Sequence, residues 1–260
     1  MKIGVCVKFT PDTDTRIKIR GDAAGIDPAG VKFVPSPYDA LAFEEGVRTK
    51  EKLGGDVVSF TVGGDELAAQ LKATTLALGA TKAVLIQDPA VANADALGIA
   101  KVLAAATRAE GCEVLFFGKQ AIDDDGGQVG AMVAELLGWA QVSRVSELTL
   151  TADGFTATRA AEGGAKEVVS GKLPAVFTCD MGLNTPRFPK LPDIVKAKTK
   201  PVETKSLAAL GLTADAIAPV VQHANLGLPP ARPKGRQLTG DVDQMVGELV
   251  RLLRDEAKVL

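Results

Sequence analysis

A three-layer α/β fold, with helices on both faces of a mostly parallel sheet, is the fold class that this sequence predicts. Its first 140 residues alternate short, apolar, β-forming runs with longer segments of helical spacing. Glycines follow the helical segments at positions where they can end a helix. Strands that alternate with helices form right-handed βαβ units, and these units place helices on both faces of a parallel sheet.

The composition is that of an ordinary globular protein. The chain has 260 residues, 46% of them apolar, and 30 basic against 32 acidic side chains give a formal net charge of −2. Such a charge excludes nucleic-acid binding by bulk attraction. No apolar run approaches the roughly 18 residues of a membrane span, and the N-terminal residues do not form a signal peptide pattern. We therefore expect a cytoplasmic protein without membrane insertion.

Catalytic and metal-binding side chains are scarce. The three cysteines lie far apart in the sequence, and His223 is the single histidine. A disulfide framework, a zinc site and a histidine-based triad are therefore not expected. Cys6 could be a nucleophile, but a small buried strand residue is the favoured interpretation, because no histidine is near it in the sequence.

Four strands and four helices are predicted in the alternating part. The strands are Lys2–Lys8, Asp56–Val62, Lys82–Ile86 and Glu113–Gly118. The helices are Ser36 to about Lys52, Asp65–Leu78, Ala94–Arg108 and Gln128–Leu137. Capping residues support these boundaries: Ser36 is a favoured N-cap, Pro37 suits the first helical position, and Asp39 stands at the capping-box position. Asp65 is the predicted cap of the second helix.

Beyond residue 140 the pattern changes to hairpins. Three short runs split by glycine turns are predicted as hairpin strands, and a fourth run is predicted to return to the sheet as a buried strand. In order, they are Leu148–Thr151, Phe155–Ala160, Ala165–Ser170 and Leu173–Thr178.

The C-terminal part of the chain is predicted to be an arm. From about residue 204 to residue 238 the regular signal is weak and prolines are frequent, among them Pro233. Asp241–Lys258 has an apolar stripe at helical spacing and is predicted as an amphipathic helix. We therefore predict a domain over residues 1–203 and an arm over residues 204–260 that packs along a partner.

The loop from Gly118 to Gly130 carries the strongest sign of a ligand site. It follows a predicted strand and precedes a predicted helix, where parallel sheets bind their ligands. A glycine-containing turn at a helix start can present backbone N–H groups to a phosphate. The donors would be Gly126, Gly127, Gln128, Val129 and Gly130. The spacing leaves an acidic helix cap without a ligand as an open alternative, because the loop matches neither a Walker A nor a G-x-G-x-x-G motif.

Two further loops are predicted at the same sheet edge. They leave the strand ends Cys6–Lys8 and Thr61–Gly64, and three converging loops suit a mononucleotide better than one loop does. Taken alone, Gly63 and Gly64 favour a tight turn between a strand and a helix, without a ligand. The three successive acids of the first loop repel a phosphate, so they would cap the helix, bond a ribose or hold the loop. These acids are Asp123, Asp124 and Asp125.

Several stretches resemble a known family, the beta subunit of electron transfer flavoprotein. They are Gly118–Gly130, Arg159–Gly164, Leu173–Val176 and above all Leu183–Lys198; Val5–Lys8 and the helix with Glu44 and Glu45 also fit. The resemblance covers nearly the whole chain in order. It implies a Rossmann-like sheet of the adenine-nucleotide-binding type, with a C-terminal arm and terminal helix that pack on an alpha subunit.

The resemblance also implies a function. Members form a heterodimer in which the alpha subunit holds most of the FAD, and the beta subunit binds AMP as a structural nucleotide. They take electrons from acyl-CoA dehydrogenases and related flavoproteins of fatty acid oxidation and pass them to a quinone oxidoreductase. Such a subunit is an electron carrier and not an enzyme, cytoplasmic in bacteria or in the mitochondrial matrix of a eukaryote. It needs no catalytic side chain because the flavin does the chemistry.

Site residues follow from the resemblance by position. The cofactor-binding residues would be Cys6, Ser36, Pro37, Tyr38, Asp39, Val62, Gln120, Ala121, Ile122, Asp123, Asp124, Asp125, Gly126, Gly127, Gln128, Val129 and Gly130. Tyr38 falls where the family has an aromatic ring near the flavin. Leu191, beside Pro192 and Ile194, falls where the family inserts a leucine into a pocket of partner dehydrogenases. We predict residues 183–198 to form a polar loop that docks the partner, and we call them the docking segment.

Two positions separate the subtypes of the family. Val129 stands where many members have threonine, and valine also occurs in bifurcating relatives, which bind a second FAD instead of AMP and oxidise NADH. Asp124 stands where bifurcating members have glycine, so the AMP-binding type is favoured. A free-standing adenine-nucleotide-binding module is a further alternative, but such a module has no use for the arm.

Overall fold

The computed structural model describes residues 1–232 and 234–260, so Pro233 of the predicted arm lies outside the described residues. Eleven strands occur in this part of the chain. They are β1 (Lys2–Cys6), β2 (Phe9–Pro11), β3 (Phe33–Pro35), β4 (Asp56–Val62), β5 (Lys82–Ile86), β6 (Val114–Gly118), β7 (Ala140–Leu150), β8 (Gly154–Ala160), β9 (Lys166–Lys172), β10 (Ala175–Cys179) and β11 (Val202–Lys205).

Nine strands form one sheet, which confirms the predicted α/β class. Their order is β11-β5-β4-β1-β6-β10-β7-β8-β9. The first seven are mutually parallel, and β8 and β9 extend the sheet as antiparallel strands beside β7. Parallel strands end at one edge of a sheet, so the loops after β1, β4 and β6 meet there.

Helices cover both faces of the sheet. The described helices are α1 (Pro37–Leu53), α2 (Leu67–Leu71, continued by a wide π-type turn to Leu76), α3 (Ala96–Ala109), α4 (Val129–Leu137), α5 (Leu191–Ala197) and α6 (Val242–Arg251). One core lies between the sheet and α1, α2 and α5, and includes the fully buried Phe116 and Phe177. The other core lies between the opposite face, α3 and α4, and includes Phe60 and Leu115. Alternate residues of each strand therefore enter opposite cores.

Two predicted boundaries need correction. The second helix begins at Leu67, and the Asp65 side chain does not cap it. β7 begins at Ala140, well before the predicted strand at Leu148, and its first half pairs in parallel with β10. Strand β7 therefore joins the hairpins to the central sheet.

The chain continues to pack on the domain beyond residue 203. The predicted boundary at residue 204 falls within β11, which pairs with β5 at the edge of the sheet. Leu207 and Ile217 are buried in the core of α3 and α4. After Ile217 the chain is largely exposed until α6, which a π-type turn continues to Glu256, close to the predicted end at Lys258. A reciprocal bond pair of Asp241 and Gln244 caps the start of α6.

The apolar stripe of α6 lies open to solvent. Its exposed residues are Val242, Val246, Leu249 and Val250. In the described part of the chain, no helix combines the length and the apolar composition needed to cross a bilayer.

Candidate functional site

A cavity of about 190 Å³ lies at the carboxyl ends of the strands. The ends of β1, β4 and β6, the start of α3 and the loop before α4 form its wall, so the three predicted loops do converge. The lining residues that sequence reasoning had selected are Cys6, Asp39, Val62, Gln120, Ala121, Asp124, Gly126, Gly127, Gln128, Val129 and Gly130.

Backbone donors at the start of α4 line this cavity. Within the described chain, the N–H groups of Gly127, Gln128, Val129 and Gly130 donate to no protein acceptor, as expected at a helix N-terminus. Gly127 has a φ of +59°, a conformation that other residues adopt only with strain. A Cβ on Gly130 would lie 2.7 Å from Thr178 Cγ2, so glycine lets α4 pack closely on β10. Together the two glycines present the free donors to the cavity.

Lys8 neutralises two of the three acids in this loop. Its Nζ lies 2.9 Å from Asp123 Oδ1 and 3.0 Å from Asp124 Oδ2. Burial opposes the charge of Lys8, but the bonds and charges of Asp123 and Asp124 outweigh it and raise the pKa of Lys8. The Gly126 N–H, predicted as a phosphate donor, instead donates to Asp124 Oδ1 at 3.0 Å, and Asp125 accepts from Gln120 Nε2 at 2.6 Å. The acids therefore stabilise the loop, which is one of their predicted roles. Two of them form ion pairs with Lys8.

Asp39 connects two strand ends and does not act as the predicted capping-box residue. Its Oδ2 accepts the Lys8 N–H and its Oδ1 the Gly118 N–H, each at 2.8 Å. The Ser36 side chain makes no capping bond either, and its buried hydroxyl has no hydrogen-bond partner among the residues that the structure describes. Burial raises the pKa of Asp39 from 3.8 to about 7, and the bonds from Lys8 and Gly118 oppose that rise only in part.

We expect the stability contributed by Asp39 to fall as the pH rises from about 4 to about 7. Between those values the folded state binds more protons at this carboxyl than the unfolded state, so the free energy of unfolding decreases with pH. Asp39→Asn cannot titrate. The free energy of unfolding of this variant, relative to that of the parent protein, should therefore increase over this range by up to about 3 kcal/mol. Melting temperatures of both proteins, measured at several pH values, test this. If the melting temperatures of the two proteins change in parallel with pH, the raised pKa of Asp39 is wrong.

Apolar side chains form a further wall of the cavity. Sequence reasoning did not select these residues, because their orientation depends on how α3 packs on the sheet. They are Phe60, Ala96, Ile99, Leu103 and Phe117. An apolar wall in the same cavity as phosphate-type donors suits an aromatic base joined to a phosphate.

Six of the predicted site residues do not line this cavity. They are Ser36, Pro37, Tyr38, Ile122, Asp123 and Asp125. Tyr38 instead lies beneath Lys119, whose Nζ is 4.6 Å from the ring centroid and 2.9 Å from Asp180 Oδ1. Hydrogen bonding to Asp180 raises the pKa of Lys119. A cation therefore covers the aromatic ring at the same sheet edge.

Cys6 is not placed for nucleophilic chemistry. It is 4% exposed, and burial raises the pKa of its thiol well above the ordinary value, which disfavours the reactive thiolate. Among the described residues, no group of three or more histidine, cysteine, aspartate or glutamate side chains could hold a metal ion.

The docking segment presents apolar side chains to solvent. Leu191 is 74% exposed and Phe188 is 92% exposed. The segment was predicted as a loop, but Leu191 begins the short helix α5, with Pro192 exposed in its first turn. Ile194 lies on the inner side and packs against the core of α1. Of the three predicted docking residues, two face solvent and one faces the domain.

Known proteins resemble this chain over most of its length. Residues 24–210 match the family model described as the electron transfer flavoprotein domain. The chain is 37% identical to electron transfer flavoprotein subunit beta of Bradyrhizobium diazoefficiens and 36% identical to that of Bacillus subtilis, with both chains covered in full. It is also 37% identical to electron transfer flavoprotein subunit beta of Mus musculus, over 89% of this chain and 90% of the relative.

Proposed function

The chain belongs to the electron transfer flavoprotein family as a beta subunit, and from this membership we propose that it binds AMP, helps an alpha subunit to enclose FAD, and docks donor flavoprotein dehydrogenases. The observation that carries the AMP proposal is that the free N–H donors at the start of α4 and an apolar wall line one cavity. A phosphate fits the donors and a planar base fits the wall.

Different residues of the cavity contact the phosphate and the base of the nucleotide. Gly127, Gln128, Val129 and Gly130 donate backbone hydrogen bonds to the phosphate, helped by the α4 dipole. The side chains of α3 and the ends of β4 and β6 contact the base. Lys8 removes the repulsion that Asp123 and Asp124 would otherwise exert. The nucleotide is then a structural element, which stabilises the folded state by mass action.

Electron transfer itself needs no reactive side chain from this subunit. FAD supplies the redox chemistry, and the protein contributes binding and electrostatics. Tyr38 and Lys119 are the residues of this chain that we assign to the surroundings of the flavin, because they lie together at the carboxyl edge of the sheet, where Lys119 lines the AMP cavity and Tyr38 lies outside its lining. On this proposal the protein is an electron carrier and not an enzyme, and the acceptor is a quinone oxidoreductase.

The docking segment fits contact with an acyl-CoA dehydrogenase or a related donor of fatty acid oxidation. An exposed leucine at the start of a short helix, in a segment otherwise rich in lysine and proline, suits a small contact that forms and dissociates quickly. Fatty acid oxidation fits a location in the bacterial cytoplasm or in the mitochondrial matrix.

We expect the chain produced alone to be colourless and prone to aggregation. The stripe of α6, which includes Val242 at 70% and Val246 at 54% exposure, has no cover within the described chain. Co-expression with an alpha subunit should give a yellow, monodisperse heterodimer, because that partner would cover the stripe and hold the flavin. Gel filtration and absorbance spectra test this pairing. A yellow, monomeric and monodisperse preparation of the single chain would contradict it.

One observation favours a second candidate function. Val129 lines the cavity but offers no side-chain hydroxyl to the ligand. A bifurcating subunit with a second FAD is therefore the alternative to the AMP-binding type. Against this alternative, Asp124 holds the loop by its bonds to Lys8 and the Gly126 N–H, and a glycine at that position could not form them.

A further inference from the structure

The docking segment is attached to the domain at both of its ends. At its start, Asn184 Nδ2 donates to the Leu41 carbonyl at 3.1 Å and to Glu45 Oε2 at 3.0 Å, both on α1. At its end, Ala197 is fully buried and Lys72 Nζ donates to the Lys198 carbonyl at 3.3 Å. The exposed apolar residues lie between these two attachments.

Arg187 makes the strongest of these attachments. Its Nε and Nη2 donate to the two oxygens of Glu44 at 2.8 and 2.9 Å. Its Nη1 and Nη2 donate to the two oxygens of Glu51 at 2.6 and 3.0 Å. Glu44 and Glu51 lie seven residues apart, two turns along α1, so one guanidinium spans both carboxylates. The Arg187 backbone N–H also donates to Glu44, at 3.2 Å.

The environment of these charges differs along α1. The Glu44 side chain is 8% exposed, whereas that of Glu51 is 54% exposed. A carboxylate as buried as Glu44 requires its cation, because an unpaired buried charge is costly. The bonds from Arg187 also lower the pKa of Glu51. Lysine could satisfy the charge of either carboxylate but not the geometry of two bidentate pairs.

Arg187 stands next to the exposed end of the segment. Phe188 follows it directly, and Leu191, four residues after Arg187, begins α5. With the guanidinium fixed on α1, the chain between Arg187 and the buried Ala197 has little freedom, so its apolar side chains are held in one place. Holding an anchor in its bound position removes part of the ordering cost of binding.

We propose that Arg187 is a positioning residue, which through Glu44 and Glu51 of α1 fixes the docking segment in the orientation that presents Leu191 to the donor dehydrogenase. The proposal rests on the docking role proposed above. Arg187 itself does not contact the donor in this arrangement, and it acts through the position of Leu191.

The test measures electron transfer from an acyl-CoA dehydrogenase, reduced by its acyl-CoA substrate, to the purified heterodimer. The variants are Arg187→Lys, Leu191→Ala and the double variant, with Glu51→Gln as a milder disruption that keeps the buried Glu44 pair. Arg48→Lys is the matched control, since it makes the same substitution on an exposed arginine of α1. Each variant is also reduced with dithionite, and its melting temperature and flavin content are measured.

We expect Arg187→Lys to raise the heterodimer concentration that half-saturates the dehydrogenase by about tenfold, with little change in the saturating rate. Glu51→Gln should have a smaller effect in the same direction, and Arg48→Lys none. The half-saturating concentration of the double variant should be no higher than that of Leu191→Ala, because a misplaced leucine and an absent leucine lose the same contact with the donor.

Three outcomes would overturn the positioning role. They are an unchanged half-saturating concentration in Arg187→Lys, effects of Arg187→Lys and Leu191→Ala that multiply in the double variant, and a lower melting temperature with unchanged donor kinetics. If Leu191→Ala also leaves the donor kinetics unchanged, the docking function fails together with it. If Leu191→Ala alone weakens docking, the docking function stands and only the role of Arg187 is wrong.

Discussion

Gly127→Val should slow assembly of the heterodimer by about tenfold and lower its AMP content, while complexes already formed transfer electrons at the parent rate. A left-handed backbone costs a residue with a Cβ about 1–2 kcal/mol, and a β-branched residue more. The φ of +59° and a Cβ position 3.3 Å from the Lys119 carbonyl therefore force the loop to move. Movement of the loop misplaces the N–H donors, so the folded state loses the stabilisation that bound AMP gives.

The glycine at the other end of α4 provides a matched control for that variant. Gly138 has a φ of +68°, its Cβ would meet no atom within 4 Å, and it does not line the cavity. Gly138→Val should therefore strain the backbone to a similar extent but retain AMP and assemble faster than Gly127→Val. Refolding of each chain with its alpha subunit, with added AMP and without it, measures the rates. A Gly127→Val protein that assembles normally but transfers electrons poorly would refute a structural role for the nucleotide.

Leu191→Ala should reduce electron transfer from the dehydrogenase by more than tenfold at low heterodimer concentration. Filling a partner pocket with one leucine is worth roughly 2 kcal/mol, which exceeds a factor of ten in affinity. Because the side chain is 74% exposed, its removal costs the folded protein little. Melting temperature, flavin content and flavin potential should stay nearly unchanged. Donor-dependent flavin reduction is the measurement.

A substitution at a buried residue of α5 shows whether Leu191 contributes to docking or to the stability of the fold. Ile194 packs against the core of α1, so Ile194→Ala should lower the melting temperature, as removal of buried methyl groups does. Leu191→Ala should not. If Leu191→Ala instead loses stability and keeps its donor-dependent rate, Leu191 belongs to its own subunit and is not a docking anchor.

The central fold could be predicted because its signals are local. The predicted strands Asp56–Val62 and Lys82–Ile86 agree with β4 and β5 at both ends, since each is an apolar run bounded by turn residues. The first half of β7 was missed. It bends at Arg144, which has a φ of +58°, and its pairing with β10 slips there, so it lacks regular alternation. β11 has four residues, three of them polar, and only its pairing with β5 makes it a strand.

The contiguous loop of the candidate site could be predicted from the sequence, but its contacts with residues distant in the sequence could not. A glycine-rich loop between a strand and a helix indicates phosphate donors from sequence alone, and those residues do line the cavity. The partners of its acids could not be found in this way, because Lys8 lies more than one hundred residues from Asp123 and Asp124. For the same reason the role of Asp39 was misjudged: its two N–H donors come from strand ends that only the folded sheet brings together.

The nucleotide content of the heterodimer tests the central claim most directly. The complex of this chain with its alpha subunit is purified without added nucleotide and denatured, and the released cofactors are separated and quantified against protein. The proposal predicts one FAD and one AMP for each heterodimer, with loss of AMP but not of FAD in Gly127→Val. Two FAD molecules and no AMP in each heterodimer would contradict it, and would assign the cavity at the start of α4 to a second flavin.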